Sequence, residues 1–196
     1  MARTPRFRID TDGWITPARY LSSPNFNTRP AGTAISLLVI HSISLPPGEF
    51  GGPWIDALFT NTLDPAAHPY FQTIADMKVS SHLLIRRDGS VVQYVPFVLR
   101  AWHAGVSQFQ GVEECNNYSI GIEMEGCDEQ GYEKVQYRVL AAITKRLQKT
   151  YPHITAERIA GHCDIAPQRK TDPGPYFDWE RYRKSIQPKK GSRRSA

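Results

Sequence analysis

Two histidines, an aspartate and a lysine stand where the sequence has little packing use for them, and their types suit metal-assisted hydrolysis. His41 follows the apolar, β-branched run Leu37-Leu38-Val39-Ile40, which reads as a buried strand ending at the histidine, so the side chain projects from a rigid edge. His162 and Asp172 fall within residues 161–175, a polar stretch with Pro167, Pro173, Gly174 and Pro175 that reads as a shaped loop. Brought together, the three make a two-histidine, one-carboxylate set with a fourth position left to water, the pattern of a catalytic zinc site. In an extended Lys170-Thr171-Asp172 stretch, alternation turns Lys170 to the same side as Asp172 and sets a cation beside the metal. The separations match no short motif, so this reading rests on residue type and place in the chain.

A hydrolase of this kind also needs a proton carrier. Ile120-Gly121-Ile122-Glu123-Met124-Glu125-Gly126 alternates with period two, placing Ile120, Ile122 and Met124 on one face and Glu123 with Glu125 on the other. Periodicity alone leaves the two glutamates as rival bases. His68 and His82 suit hydrogen-bonded structural roles, and His153, after Tyr151-Pro152, suits a solvated one. Cys115, Cys127 and Cys163 form no Cys-x-x-Cys pair, which fits free thiols in a reducing compartment. No Gly-x-Ser-x-Gly elbow is present, which argues against a serine hydrolase.

The elements that must position these groups read as a single α/β (α+β) domain, a central mixed β-sheet flanked by helices. Leu83–Ile85 and Val91–Val95 flank Asp88-Gly89, a hairpin signal. Between His41 and these strands lies a long Pro- and Gly-rich loop with one short helix, opened by Pro53 at its first position and carrying Trp54, Ile55 and Leu58. Val135, Val139, Ile143 and Leu147 recur every four residues and predict a helix over 132–150 that Pro152 stops. Asp178 is placed to cap a last helix bearing Trp179, Tyr182 and Ile186.

A length of 196 residues suits one domain, and 40% hydrophobic with 22% charged residues excludes a disordered or coiled-coil chain. The expected organisation is a basic tail over 1–11, one domain over 12–186 and a basic, disordered tail over 187–196. The two ends hold seven lysines and arginines and no acid within residues 1–8 and 187–196, so the net +5 leaves the body between them at −2. That distribution argues against a specific nucleic-acid partner. No run approaches the roughly 18 apolar residues of a membrane span, and no apolar segment follows Arg3, Arg6 and Arg8. No membrane attachment and a cytoplasmic location are therefore expected.

Four stretches, Val39–Gly48, Arg100–Gly105, Ser119–Gly126 and the 161–175 loop, together resemble the zinc N-acetylmuramoyl-L-alanine amidase family, which is related to the peptidoglycan recognition proteins. The likeness is to cytoplasmic members acting on 1,6-anhydro-N-acetylmuramyl-L-alanine, and it runs in order through residues 12–186. It implies a Zn²⁺ held by His41, His162 and Asp172 in a groove on one face of the sheet. It further implies Glu123 as the essential acid, Lys170 as a catalytic lysine, and Tyr70, Trp102 and His103 as substrate-contacting residues of the groove. The reaction implied is hydrolysis of the amide between the lactyl group of an anhydro-muropeptide and L-alanine. Such an enzyme serves peptidoglycan recycling, indirectly limits β-lactamase induction and acts as a monomer. Two alternatives stay in view: a peptidoglycan-binding module, as in relatives with an incomplete metal set, and an exported amidase acting on intact wall.

Overall fold

Leu37 to Ile40 are all buried, because both faces of their strand are covered, which is why the segment reads as a continuous apolar run rather than an alternating one. The strand continues past His41 to Ile43, so His41 sits inside it rather than ending it. A computed structural model of the chain describes residues 5–187. In chain order its strands are β1 Arg8–Ile9, β2 Ile15–Thr16, β3 Arg19–Tyr20, β4 Phe26–Asn27, β5 Leu37–Ile43, β6 Leu83–Ile85, β7 Val91–Gln93, β8 Arg100–Ala101, β9 Gln108–Phe109, β10 Val112–Glu113, β11 Ser119–Glu125 and β12 Ile159–Gly161. The α-helices are α1 Trp54–Phe59, α2 Pro69–Gln72, α3 Lys134–Thr150, α4 His162–Ile165 and α5 Trp179–Ile186.

Six strands form a mixed sheet in the order β12-β5-β11-β6-β7-β3. The first four are mutually parallel, β7 returns antiparallel to β6 through the Asp88-Gly89 turn, and β3 pairs parallel with β7. Gly89 adopts φ +85° in that turn, where a side chain would be strained. The remaining six strands pair two by two as short antiparallel ribbons.

One face of the sheet presents Leu38, Ile40, Leu83, Ile85, Ile120, Ile122 and Met124 to Val139, Leu140, Ile143 and Leu147 of α3 and to Tyr182 of α5. On the other, Leu84, Val92 and Tyr94 meet Ile55, Leu58 and Phe59 of α1 and Phe71 of α2. Helix α3 starts at Lys134, two residues later than its periodicity suggests, because Tyr132 is buried and donates its hydroxyl to the Pro173 carbonyl. Pro53 precedes α1 as its N-cap rather than standing first within it. Asp178 caps α5, accepting the Arg181 N–H at 2.9 Å. Within the segment expected to be an N-terminal tail, Phe7 is buried and β1 pairs with β2. The expectation for the C-terminal tail falls, apart from Gln187, outside the described residues. Among those described, no helix is long and apolar enough to cross a membrane.

His82, fully buried at the base of β6, has the structural role expected of it. Its Nδ1 accepts the Gly121 N–H (3.0 Å) and its Nε2 donates to the Leu99 carbonyl (3.1 Å). Burial, reinforced by the charge of Arg29, lowers its pKa from 6.5 to about 3. An unfolded chain takes up this proton below about pH 6.5 and the native chain does not, so the stability contribution is full above pH 6.5 and lost as pH falls toward 3. His41 and His103 shift in the same sense. The contribution of His82 is therefore read as a difference: the urea midpoint of the parent falls more steeply between pH 6.5 and 4 than that of His82→Gln. Parallel curves would remove the assignment.

Candidate metal centre and active site

The parallel register lines up the chemistry. Glu123 of β11 lies opposite His41 of β5, and Gly161 of β12 lies opposite Ile40, so the next residue, His162, falls beside His41. Three adjacent strands thus deliver His162, His41 and Glu123 in one row near their carboxyl ends, where open α/β sheets place ligand sites. Asp172 is carried to the row by the loop after α4, tied down by its own carbonyl, which accepts the Cys163 N–H (2.9 Å). His41 Nδ1 and His162 Nδ1 are 3.0 Å apart, and each lies 3.1 Å from Asp172 Oδ2.

The opposite ring nitrogens of the two histidines fix what those atoms are. His162 Nε2 lies 3.1 Å from the Ala104 carbonyl, which only accepts, so the proton is on Nε2. His41 Nε2 lies 2.9 Å from His103 Nδ1, and His103 Nε2 lies 3.0 Å from Ser119 Oγ, a chain satisfied when each imidazole donates through Nε2. Both Nδ1 atoms then present lone pairs to each other and to a carboxylate oxygen. Three converging lone pairs repel unless a cation lies between them. A tetrahedral ion with bonds of about 2.0–2.2 Å sets its ligand atoms about 3.3–3.6 Å apart, so the three atoms, at 3.0–3.1 Å, need to spread by only a few tenths of an ångström to hold one. His41, His162 and Asp172 are thus a group that can hold a metal ion. Burial lowers the His41 pKa to about 4, keeping it neutral and able to ligate.

The environments of the two glutamates differ. Glu125 accepts from Arg86 Nη1 (3.1 Å) and from the backbone N–H groups of Gly51 (2.8 Å) and Arg87 (2.9 Å). Glu123 is buried as well, yet its Oε2 has no partner. Burial, with the charge of Asp172 behind it and Lys170 opposing, pushes its pKa well above the ordinary carboxylate value. Unpartnered buried polar atoms are rare, and this one lines the same cavity as the three side chains that could hold a metal ion.

A cavity of about 500 Å³ opens over the row, and His41, Glu123, His162, Lys170 and Asp172 all line it. Tyr70 and His103 line it too, Tyr70 exposed on α2 and His103 buried behind His41. Trp102 is not among the lining residues; its indole N–H donates to Asn27 Oδ1 at 2.8 Å. Trp54 packs with the core cluster around α1 and α2, and His68 accepts the Tyr70 N–H at the start of α2. His153 is exposed, and the three cysteines are free. The sequence reading did not single out Ala104, Asn116 and Arg169, which surround the histidines, because nothing local distinguishes a carbonyl or a turn asparagine that acts across the fold.

Residues 31–175 match the N-acetylmuramoyl-L-alanine amidase family model. The chain is 63% identical over 171 residues to the 1,6-anhydro-N-acetylmuramyl-L-alanine amidase AmpD of Escherichia coli (strain K12), covering 87% of this chain and 93% of that protein. Among solved structures it resembles a selenomethionine derivative of AmpD, with TM-score 0.89 and 60% identity over 92% of this chain and 99% of that one. It also resembles E. coli AmiD solved with the substrate anhydro-N-acetylmuramic acid-L-Ala-D-γ-Glu-L-Lys, with TM-score 0.57 and 28% identity over 92% of this chain and 65% of that one. The fold, the row of site residues and these likenesses agree: the chain belongs to the N-acetylmuramoyl-L-alanine amidase family.

Proposed function

We propose that the protein hydrolyses the amide between the lactyl group of 1,6-anhydro-N-acetylmuramic acid and the L-alanine of a stem peptide, using zinc held by His41, His162 and Asp172. The observation that carries this reading is the unpartnered Oε2 of Glu123 beside a set of three converging ligand atoms in one cavity. The identity to AmpD and the fold shared with substrate-bound AmiD support the choice of substrate. When bound, zinc supplies a Lewis acid that polarises a carbonyl and makes water nucleophilic near neutral pH.

The chain's own residues supply the rest. Glu123 accepts the proton of the attacking water at its free carboxylate oxygen and returns it to the L-alanine nitrogen as the C–N bond breaks. The water oxygen remains on the lactyl carbon as the new carboxylate, and the stem peptide leaves with a free amine. Lys170 offers its ammonium to the negative charge that grows on the carbonyl oxygen. Tyr70, Trp102 and His103 remain our candidates for substrate contact, Tyr70 being the more exposed of the two that line the cavity. The same reading makes the protein a monomer of the cytoplasm that clears wall fragments for recycling and so limits β-lactamase induction.

The test is mass spectrometry of 1,6-anhydro-N-acetylmuramyl-tripeptide incubated with the protein, with chelator-treated protein and with the latter restored by zinc. Free tripeptide that disappears with chelator and returns with zinc is expected. Intact substrate after restoration, in protein of native circular dichroism, would favour the binding-module or intact-wall reading. Lys170→Met is expected to lower kcat about 100-fold, as for loss of one oxyanion donor, with a smaller change in KM. An unchanged kcat would make Lys170 a bystander.

A further inference from the structure

Both histidines of the metal set are backed by one dipeptide. His103 offers its Nδ1 to His41, and the next residue, Ala104, offers its carbonyl to His162. The backbone N–H groups of His103 and Ala104 both end on a single atom, Asn116 Oδ1, at 3.2 and 2.8 Å. Asn116 is itself buried in a turn pinned from behind. The partly buried guanidinium of Arg29 donates to the carbonyls of Asn116 (3.0 Å), Asn117 (2.9 Å) and Ser119 (2.8 Å). Gly121 makes room for the arrangement, since a Cβ there would lie 2.6 Å from the His103 ring. Arg169, next to Lys170, closes the other side by donating to the Ala104 carbonyl (2.6 Å).

The geometry points to Asn116 as the positioning residue of the metal centre: its one amide oxygen fixes the 103–104 dipeptide that holds both ligand histidines with Nδ1 free to coordinate. The inference rests on the metal reading proposed above. The physical reason is the tautomer choice. A histidine whose Nε2–H loses its acceptor is free to move the proton to Nδ1 or to rotate, and either change removes a ligand. One oxygen that sets two successive amides orders the His103 side chain and the Ala104 carbonyl together. A side chain that only stabilised the 115–118 turn would affect unfolding without affecting metal affinity.

The experiment uses the full chain. In the metal-free parent, hydrogen exchange is expected to show protected amides at His103 and Ala104, and Asn116→Ala is expected to deprotect both. By competition with a chromophoric chelator, the zinc Kd of Asn116→Ala is expected to rise about tenfold or more, in the range for loss of outer support to a ligand histidine. Asn116→Asp keeps the accepting oxygen and is expected to restore the Kd to within about threefold of the parent. If Ala disrupts the fold, Asn116→Ser, polar but too short to reach the amides, is read in its place. Fast exchange at both amides in the parent, or a folded Ala or Ser variant with the parent's Kd, would overturn the clamp. A parent that takes up no zinc would instead overturn the metal reading beneath it.

Discussion

Glu123→Gln is expected to lower kcat by about 10²–10⁴-fold, the range for loss of a general acid–base group, with zinc content unchanged. Glutamine keeps the volume and one oxygen but cannot take up a proton, and no bond in the fold depends on the lost oxygen, because Oε2 has no partner. The stability of the variant should therefore match or exceed that of the parent, since a buried carboxylate has been replaced by a neutral amide. Glu125→Gln provides the contrast. Its carboxylate anchors Arg86 and two backbone amides from the loop before α1 and from the hairpin turn. Breaking a buried pair of this kind costs about 3–5 kcal/mol, and the low end is expected because Arg86 also pairs with Asp56 at 3.0 Å. The two variants should thus separate cleanly, one losing rate with stability intact and the other losing stability. A normal kcat in Glu123→Gln with a lost one in a folded Glu125→Gln would exchange the roles.

That pair shows where sequence reading stops. Alternation placed both glutamates on the polar face of one strand, and the structure agrees, but what distinguishes them arrives from elsewhere: Arg86, Arg87 and Gly51 close around Glu125 and leave Glu123 alone. The mixed sheet, the long α3 and the capped α5 were legible because each is written in local periodicity or in a cap residue. Phe7 and β1 were not, since an apolar residue between Arg6 and Arg8 carries no signal of the sheet and helix that bury it. The set His41, His162 and Asp172 could be assembled from residue types, because a histidine in an apolar strand and a polar Pro-Gly loop are both unusual. That the two histidines share a row with Glu123 follows only from the register of β12, β5 and β11, and Asp172 joins them through the loop after α4. Asn116 was invisible for the same reason: it acts on amides in another loop through a contact no spacing encodes.

Asp172→Ala is expected to weaken zinc binding by about two orders of magnitude and to abolish turnover at ordinary zinc concentrations. Structural sites with four ligands bind zinc with about 10–16 kcal/mol, so one ligand's share is roughly 3 kcal/mol, a little over two decades in Kd. Loss of Asp172 also removes the carboxylate that both histidines face, leaving two neutral donors around a dication. The effect is separable from misfolding, because a metal that binds only the native state stabilises it in proportion to saturation. At zinc 100 times the parent's Kd the gain is about 2.7 kcal/mol, which for a chain of this size raises Tm by roughly 5–10 °C. The same zinc is only about equal to the variant's Kd, where the gain falls to about 0.4 kcal/mol and the Tm shift all but vanishes. Cys163 is not part of the converging set His41, His162 and Asp172, and burial with the adjacent Asp164 pushes its thiol up to about 11. A zinc-dependent Tm in the parent that persists undiminished in Asp172→Ala would show that the stabilising ion sits elsewhere, and would remove the carboxylate from the ligand set while leaving the two histidines to be tested in the same way.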